Sequence, residues 1–202
     1  MAIDFKPVTE GQMKLREYAD QFSLEALRQA TNDSIDFLLS LIANMNDADI
    51  VFVPEDPDAN DAHAAPGEEN IAWGMGHLIA HVTASSEEWA AYSSLLARGV
   101  AYGVDPRLRY ETPWREIDTQ AKAVQRLEES RRIRLSYLDT WPDEPDLALT
   151  RELSPRFIER NGEMNASACF LFGFRHEVSH YDQLREVKRQ IDVHNAEAAA
   201  AD

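Results

Sequence analysis

Apolar residues recur three and four apart through four long stretches of the chain, and nowhere do they alternate in the period of two that a half-buried strand requires. The first stretch runs from about Gly11 to Met45, with Leu24, Leu27, Thr31, Ser34, Leu38, Leu41 and Met45 on one stripe. Thr9 and Gln12 stand at the spacing of a capping box before it. A connection rich in Asp, Pro and Ala follows, NDADIVFVPEDPDANDAHAAPGEE, whose IVFV resembles a strand only locally. The second helix is predicted from Glu69 to Arg98, with Ile71, Met75, Leu78, Val82, Trp89, Tyr92 and Leu96 inward and Gly99 ending it. Thr112 as N-cap and Pro113 at the first helical position open a third, carried through Leu138 and stopped by Trp141-Pro142. A fourth runs from Asn165 to Val193, and the tail, residues 195–202, is expected to fray. Amphipathic helices of this length joined by polar connections predict an all-α, four-helix bundle over residues 1–202, a single domain with one long connection between its first two helices.

Composition narrows the class. Hydrophobic residues at 44% and charged residues at 28% fit a folded globular domain. A formal net charge of −16 argues against nucleic acid as a partner, since the basic run RRIRL follows the acidic RLEES. No stretch reaches the roughly 18 apolar residues of a membrane span, and MAIDFKPVTEGQ lacks the apolar run of a signal peptide, so a cytoplasmic chain with no membrane partner is expected. Cys169 is the only cysteine, which excludes an intrachain disulfide and a thiolate zinc site. Two turns before His176 on the same face, it reads as a buried structural residue.

The chemistry lies in the histidines. HEVSH at residues 176–180 matches the HExxH pattern of zinc proteases, but only 22 residues follow His180 and none supplies the extended motif's third ligand. Glu177 and His180 form one Glu-x-x-His pair, without the second copy that a di-iron bundle needs. What stands out is a second pair, His77 and His81 in WGMGHLIAH, on another helix. Two pairs out of six histidines, each on a bundle-facing seam, are what a divalent metal prefers. His63 in the Asp-rich loop and His194 near the end stand apart from them. Glu177, Tyr181, Asp182 and Glu88 are candidates to support the site; for Glu177 and Asp182 a surface position is the plainer expectation. Trp73 and Trp89 either wall a pocket or fill the core.

Taken in order, NIAWGMGHLIAH and FGFRHEVSHYDQLREVKRQ resemble the second-helix and last-helix motifs of the DinB/YfiT-like superfamily, and NMNDADIVFVPEDP resembles its first-helix exit. The resemblance implies a bundle that binds one divalent metal, zinc or nickel ahead of iron, through three histidines, here His77, His176 and His180. The Trp-x-x-x-His form of the motif selects His77. A second form, with histidine eight residues after the tryptophan, selects His81, which also lies nearer the centre of the apolar stripe, about 40° round the helix. His81 is otherwise expected as a fourth ligand or a supporting group. The resemblance further implies a metal-dependent thiol S-transferase or related hydrolase, with a small-molecule thiol and an electrophile as its partners and a homodimer as its assembly. A non-enzymatic metal-binding or stress-response bundle protein is the competing expectation.

Overall fold

The computed structural model describes residues 3–62 and 64–201. It is all-α, and the only ladder-type pairing among the described residues is an isolated bridge between Arg151 and Met164. The helices are α1 (Lys6–Thr9), α2 (Leu15–Ala19), α3 (Leu24–Ile42), α4 (Asp47–Ile50), α5 (Met75–Ala97), α6 (Gln120–Asp139), α7 (Pro155–Asn161), α8 (Ala166–Ser179) and α9 (Tyr181–Ala201), with a 3-10 turn at Trp114–Glu116. The helix α5 is the axis of the molecule. It buries 19 of its 23 residues and is packed most extensively by α8 and then α6, while α3 covers α6.

Several boundaries differ from the periodic reading, each for a local reason. Thr9 does not cap a helix start: its hydroxyl donates back to the carbonyls of Phe5 and Lys6, closing α1. The first long helix begins only at Leu24, where Ser23 Oγ accepts the Ala26 N–H. Thr112 and Pro113 precede the 3-10 turn, and α6 starts only at Gln120, where the N-cap Thr119 Oγ1 accepts the Lys122 N–H. The second long helix starts at Met75 instead of Glu69. Its N-cap Gly74 lies so close to the Phe52 carbonyl that an added Cβ would come within 2.5 Å of the oxygen. Trp73 is thereby left outside the helix, free to fold over its first turns. The segment 195–201, expected to fray, continues α9.

The last long helix is broken at His180. Ser179 Oγ donates to the His176 carbonyl at 2.6 Å, the oxygen that the His180 N–H would reach in an unbroken helix, and that N–H turns instead to Glu177 O at 3.0 Å. The HEVSH sequence thus contains its own helix stop.

Two apolar clusters make up the core. One gathers Leu15, Leu27, Trp89, Tyr92, Leu138 and Phe174; the other gathers Ile35, Leu38, Leu78, Leu127, Tyr181 and Leu184. Between them α3, α5, α6 and α8 contribute buried polar residues: Thr31 and Ser34 from α3, Ser85 and Ser86 from α5, Ser130 and Arg134 from α6, Glu177 from α8. The molecule has a polar waist, and the histidines lie at its level.

Candidate metal centre

Gly173 sets the approach of α5 to α8. A Cβ there would stand 3.0 Å from both Ser86 Cα and Trp89 Cβ, so a larger residue would press the two helices apart by a few tenths of an ångström. One turn beyond it, His176 comes to face His81, their Nε2 atoms 3.3 Å apart. The helix break delivers His180 to the same point. Among the described residues, His81, His176 and His180 alone form a group able to hold a metal ion, with candidate ligand atoms all within 4.8 Å of one another. Four-coordinate zinc–nitrogen bonds of about 2.0–2.1 Å place ligand nitrogens roughly 3.3–3.4 Å apart, so the His81–His176 spacing already fits and His180 needs a modest approach.

The protonation of these rings suits that fit. Burial, reinforced by His176 and His180, depresses His81 to about 2; burial and the adjacent His180 hold His176 down at about 4. Both are neutral donors across the physiological range. His180 Nδ1 lies 2.9 Å from Gln183 Oε1, an acceptor, which places the proton on Nδ1 and leaves Nε2 with its lone pair. Trp73 caps the cluster, its ring 4.5 Å from that of His77, 4.6 Å from His81 and 5.9 Å from His180.

His77, the α5 residue expected in the triad, is not brought into it. Its ring is stacked between Trp73 and Trp114, the latter 4.8 Å away and 4° from parallel, and its Nδ1 is buried without a hydrogen-bond partner. One turn of helix separates it from His81, and the two tryptophans occupy that turn. His194 packs on Phe52, apart from the cluster. His63 lies outside the described residues.

The surrounding carboxylates divide sharply. Glu177 is not a surface charge: it is fully buried, accepting from Arg134 at 2.8 Å, Ser86 Oγ at 3.1 Å and the Tyr181 hydroxyl at 2.9 Å. Burial and that carboxylate push the Tyr181 hydroxyl well above its ordinary pKa. With all its acceptor capacity directed into the core, Glu177 cannot serve as a protease base. Asp182 does sit on the surface, paired with Arg185. Glu88 is buried and held by Tyr92 and Arg107 at 2.9 Å each. Cys169 is fully buried, its thiol raised to about 12, and is inert.

A cleft of about 610 Å³ opens beside the cluster, lined by His77, His81 and His176 together with Ser85, Trp89 and Phe172. Its far wall is the segment after α5, which contributes Arg107, Arg109, Glu111 and Trp114. These residues were not among the candidates from sequence. Arg107, Arg109 and Glu111 alternate in RLRYE, as side chains on one face of an extended segment do, but the stretch has no helical period to draw attention to it. A second cleft of about 270 Å³ reaches His180 and Trp73 from the acidic loop at Asp56, Asp58 and Asp61.

The arrangement offers three imidazoles on one side and a roomy, mixed polar and aromatic hollow on the other. Comparison with curated proteins finds no match, and comparison with solved structures likewise finds none. A family model described as the DinB superfamily matches residues 8–184, from α1 into α9 and across all three histidines.

Proposed function

The chain belongs to the DinB superfamily, and from that premise we propose that it binds one divalent metal ion through His81, His176 and His180 and acts on small molecules held in the adjoining cleft. Transfer of a thiol to an electrophile, or a related hydrolysis, is the reaction this reading favours. The observation that carries it is the convergence of three ring nitrogens, two of them 3.3 Å apart, where His81 and His176 line the larger cleft and His180 the smaller one. All-nitrogen donor sets suit zinc, nickel and iron alike. A bound divalent ion supplies a Lewis acid that lowers the pKa of a coordinated thiol or water into the neutral range.

The protein's own residues account for the rest. Three imidazoles would hold a divalent ion with coordination positions to spare, as a reactive rather than a structural site requires. Trp73 shields the cluster from solvent on one face, and Trp89, Trp114 and Phe172 supply apolar surface against which the body of an electrophile packs. Arg107 and Arg109 line the far wall, where their pairing with Glu88 and Glu111 leaves a polar surface with little net charge facing the reactants. The size of the cleft favours this reading over a metal-binding protein without catalysis, which needs no hollow beside its ligands. The test is reconstitution of metal-stripped, untagged protein with zinc, nickel or iron, followed by a screen of small thiols against electrophiles. Metal-dependent thiol consumption that is absent from His180→Ala supports the proposal; stoichiometric metal with no turnover of any pair supports the non-enzymatic alternative.

A further inference from the structure

Each histidine that gives one nitrogen to a metal must place its remaining proton on the other nitrogen, and that proton needs an acceptor if the ring is to hold its orientation. His180 has Gln183 in this role, whereas His176 Nδ1 is buried without a hydrogen-bond partner among the described residues. For His81 two groups stand near Nδ1: Arg109 Nη2 at 3.4 Å, which can only donate, and Glu111 Oε1 at 3.9 Å, which can only accept. The ring is largely enclosed, with its side chain 21% exposed, so water does not readily replace either. Arg109 is itself committed, giving two hydrogen bonds to Glu111 Oε2 at 2.6 and 3.0 Å and one to the His81 carbonyl at 3.3 Å.

We propose that Glu111 is the positioning residue of the metal centre, accepting the Nδ1 proton of His81 when Nε2 is given to the ion. The assignment rests on the metal-binding reading of the histidine cluster. With Arg109 donating to Nδ1, the metal-free ring carries its proton on Nε2, where it bridges to His176 Nε2 at 3.3 Å. Binding the ion removes that bridge and moves the proton to Nδ1, where Arg109 is the wrong partner and Glu111 the right one. Glu111 Oε1 makes no shorter contact to give up, because the Arg109 fork grips Oε2. The fork therefore works as an anchor: it fixes the carboxylate beside His81 and leaves one oxygen to turn to the ring. Since Glu111 belongs to the segment that forms the far wall of the cleft, metal occupancy and the placement of that wall are tied together through one hydrogen bond.

The experiment uses zinc alone as the probe, in competition with a chromophoric chelator at fixed pH, on full-length protein. Glu111→Ala is expected to bind zinc about 10–100-fold more weakly at unchanged 1:1 stoichiometry. Glu111→Gln, which keeps an acceptor oxygen, is expected to recover most of that loss, whereas Glu111→Met, which keeps the bulk without an acceptor oxygen, is expected not to; equal recovery by both variants would mean that Glu111 only fills space. In parallel, 15N NMR of histidine-labelled wild-type protein is expected to show the His81 proton on Nε2 without zinc and on Nδ1 with it. This second measurement stands even if Glu111→Ala fails to fold. Wild-type protein that takes up no zinc removes the metal centre and the role of Glu111 together. Wild-type protein that binds zinc while Glu111→Ala binds equally well, or whose zinc-loaded His81 lacks an Nδ1 proton, overturns the Glu111 assignment alone.

Discussion

His176 and His81 are held far below the ordinary histidine range, near 6.5, because a charged ring in their enclosed setting loses hydration and repels its neighbours. The unfolded chain takes up these protons as the pH drops through about 6.5, whereas the folded chain resists until about 4 at His176 and about 2 at His81. Metal-stripped protein should therefore lose stability as pH falls below about 6.5, by at most roughly 1.4 kcal/mol per pH unit for each such histidine. Thermal melts between pH 7.5 and 5 read this directly. The slope should flatten in His81→Gln/His176→Gln, and an equally steep slope in that double variant would place its origin elsewhere. Of the candidate residues, His176 and His180 were legible from sequence because a four-residue spacing on an amphipathic stripe states which face they share. The choice between His77 and His81 was not, because both spacings from Trp73 are admissible until it is known that Trp73 and Trp114 enclose the first of them.

Helix α8 carries two features that act through contacts and not through chemistry. The Glu177–Arg134 pair is buried at both ends, and removing one partner leaves an uncompensated charge in the waist. Arg134→Met should cost about 3–5 kcal/mol in urea unfolding, and Arg134→Met/Glu177→Met should cost less than that single change. A double variant as damaged as the single one would show that shape, not charge, governs the site. At Gly173 two effects compete: alanine gains about 1 kcal/mol of helix propensity but overpacks the α5–α8 crossing by about 1–3 kcal/mol. With an added Cβ at 3.0 Å from backbone and Cβ atoms, overpacking should win, and Gly173→Ala should lose both stability and zinc affinity because His176 moves with the crossing. Unchanged affinity would mean that the helices separate without shifting the ring. The long helices and their order were readable from the apolar period, but the short α1, α2, α4 and α7, of seven residues or fewer, were not. The breaks were not, since they depend on single side-chain hydrogen bonds, such as Ser179 to the His176 carbonyl and Thr119 to the Lys122 N–H, which leave the period intact.

At the scale of the molecule, the polar waist between two apolar clusters makes one face of the bundle chemically usable. The same layer that buries Glu177 among Arg134, Ser86 and Tyr181 turns His81 and His176 toward one cleft and leaves His180 at the wall of a second. The all-α architecture was legible from the sequence, and so was the presence of a histidine centre on the second and last long helices. The cleft's far wall was not, because an extended segment without periodicity reveals its facing residues only when the chain around it is folded. The proposed function turns on whether His81, His176 and His180, and not His77, hold a divalent ion. The most direct test is zinc affinity at fixed pH for wild type, His81→Ala and His77→Ala, with stoichiometry from elemental analysis. The account predicts one zinc per chain in wild type, a loss of at least about 100-fold in His81→Ala, and a change within about tenfold in His77→Ala, whose ring sits between Trp73 and Trp114. Loss of zinc from His77→Ala with full retention by His81→Ala would contradict it.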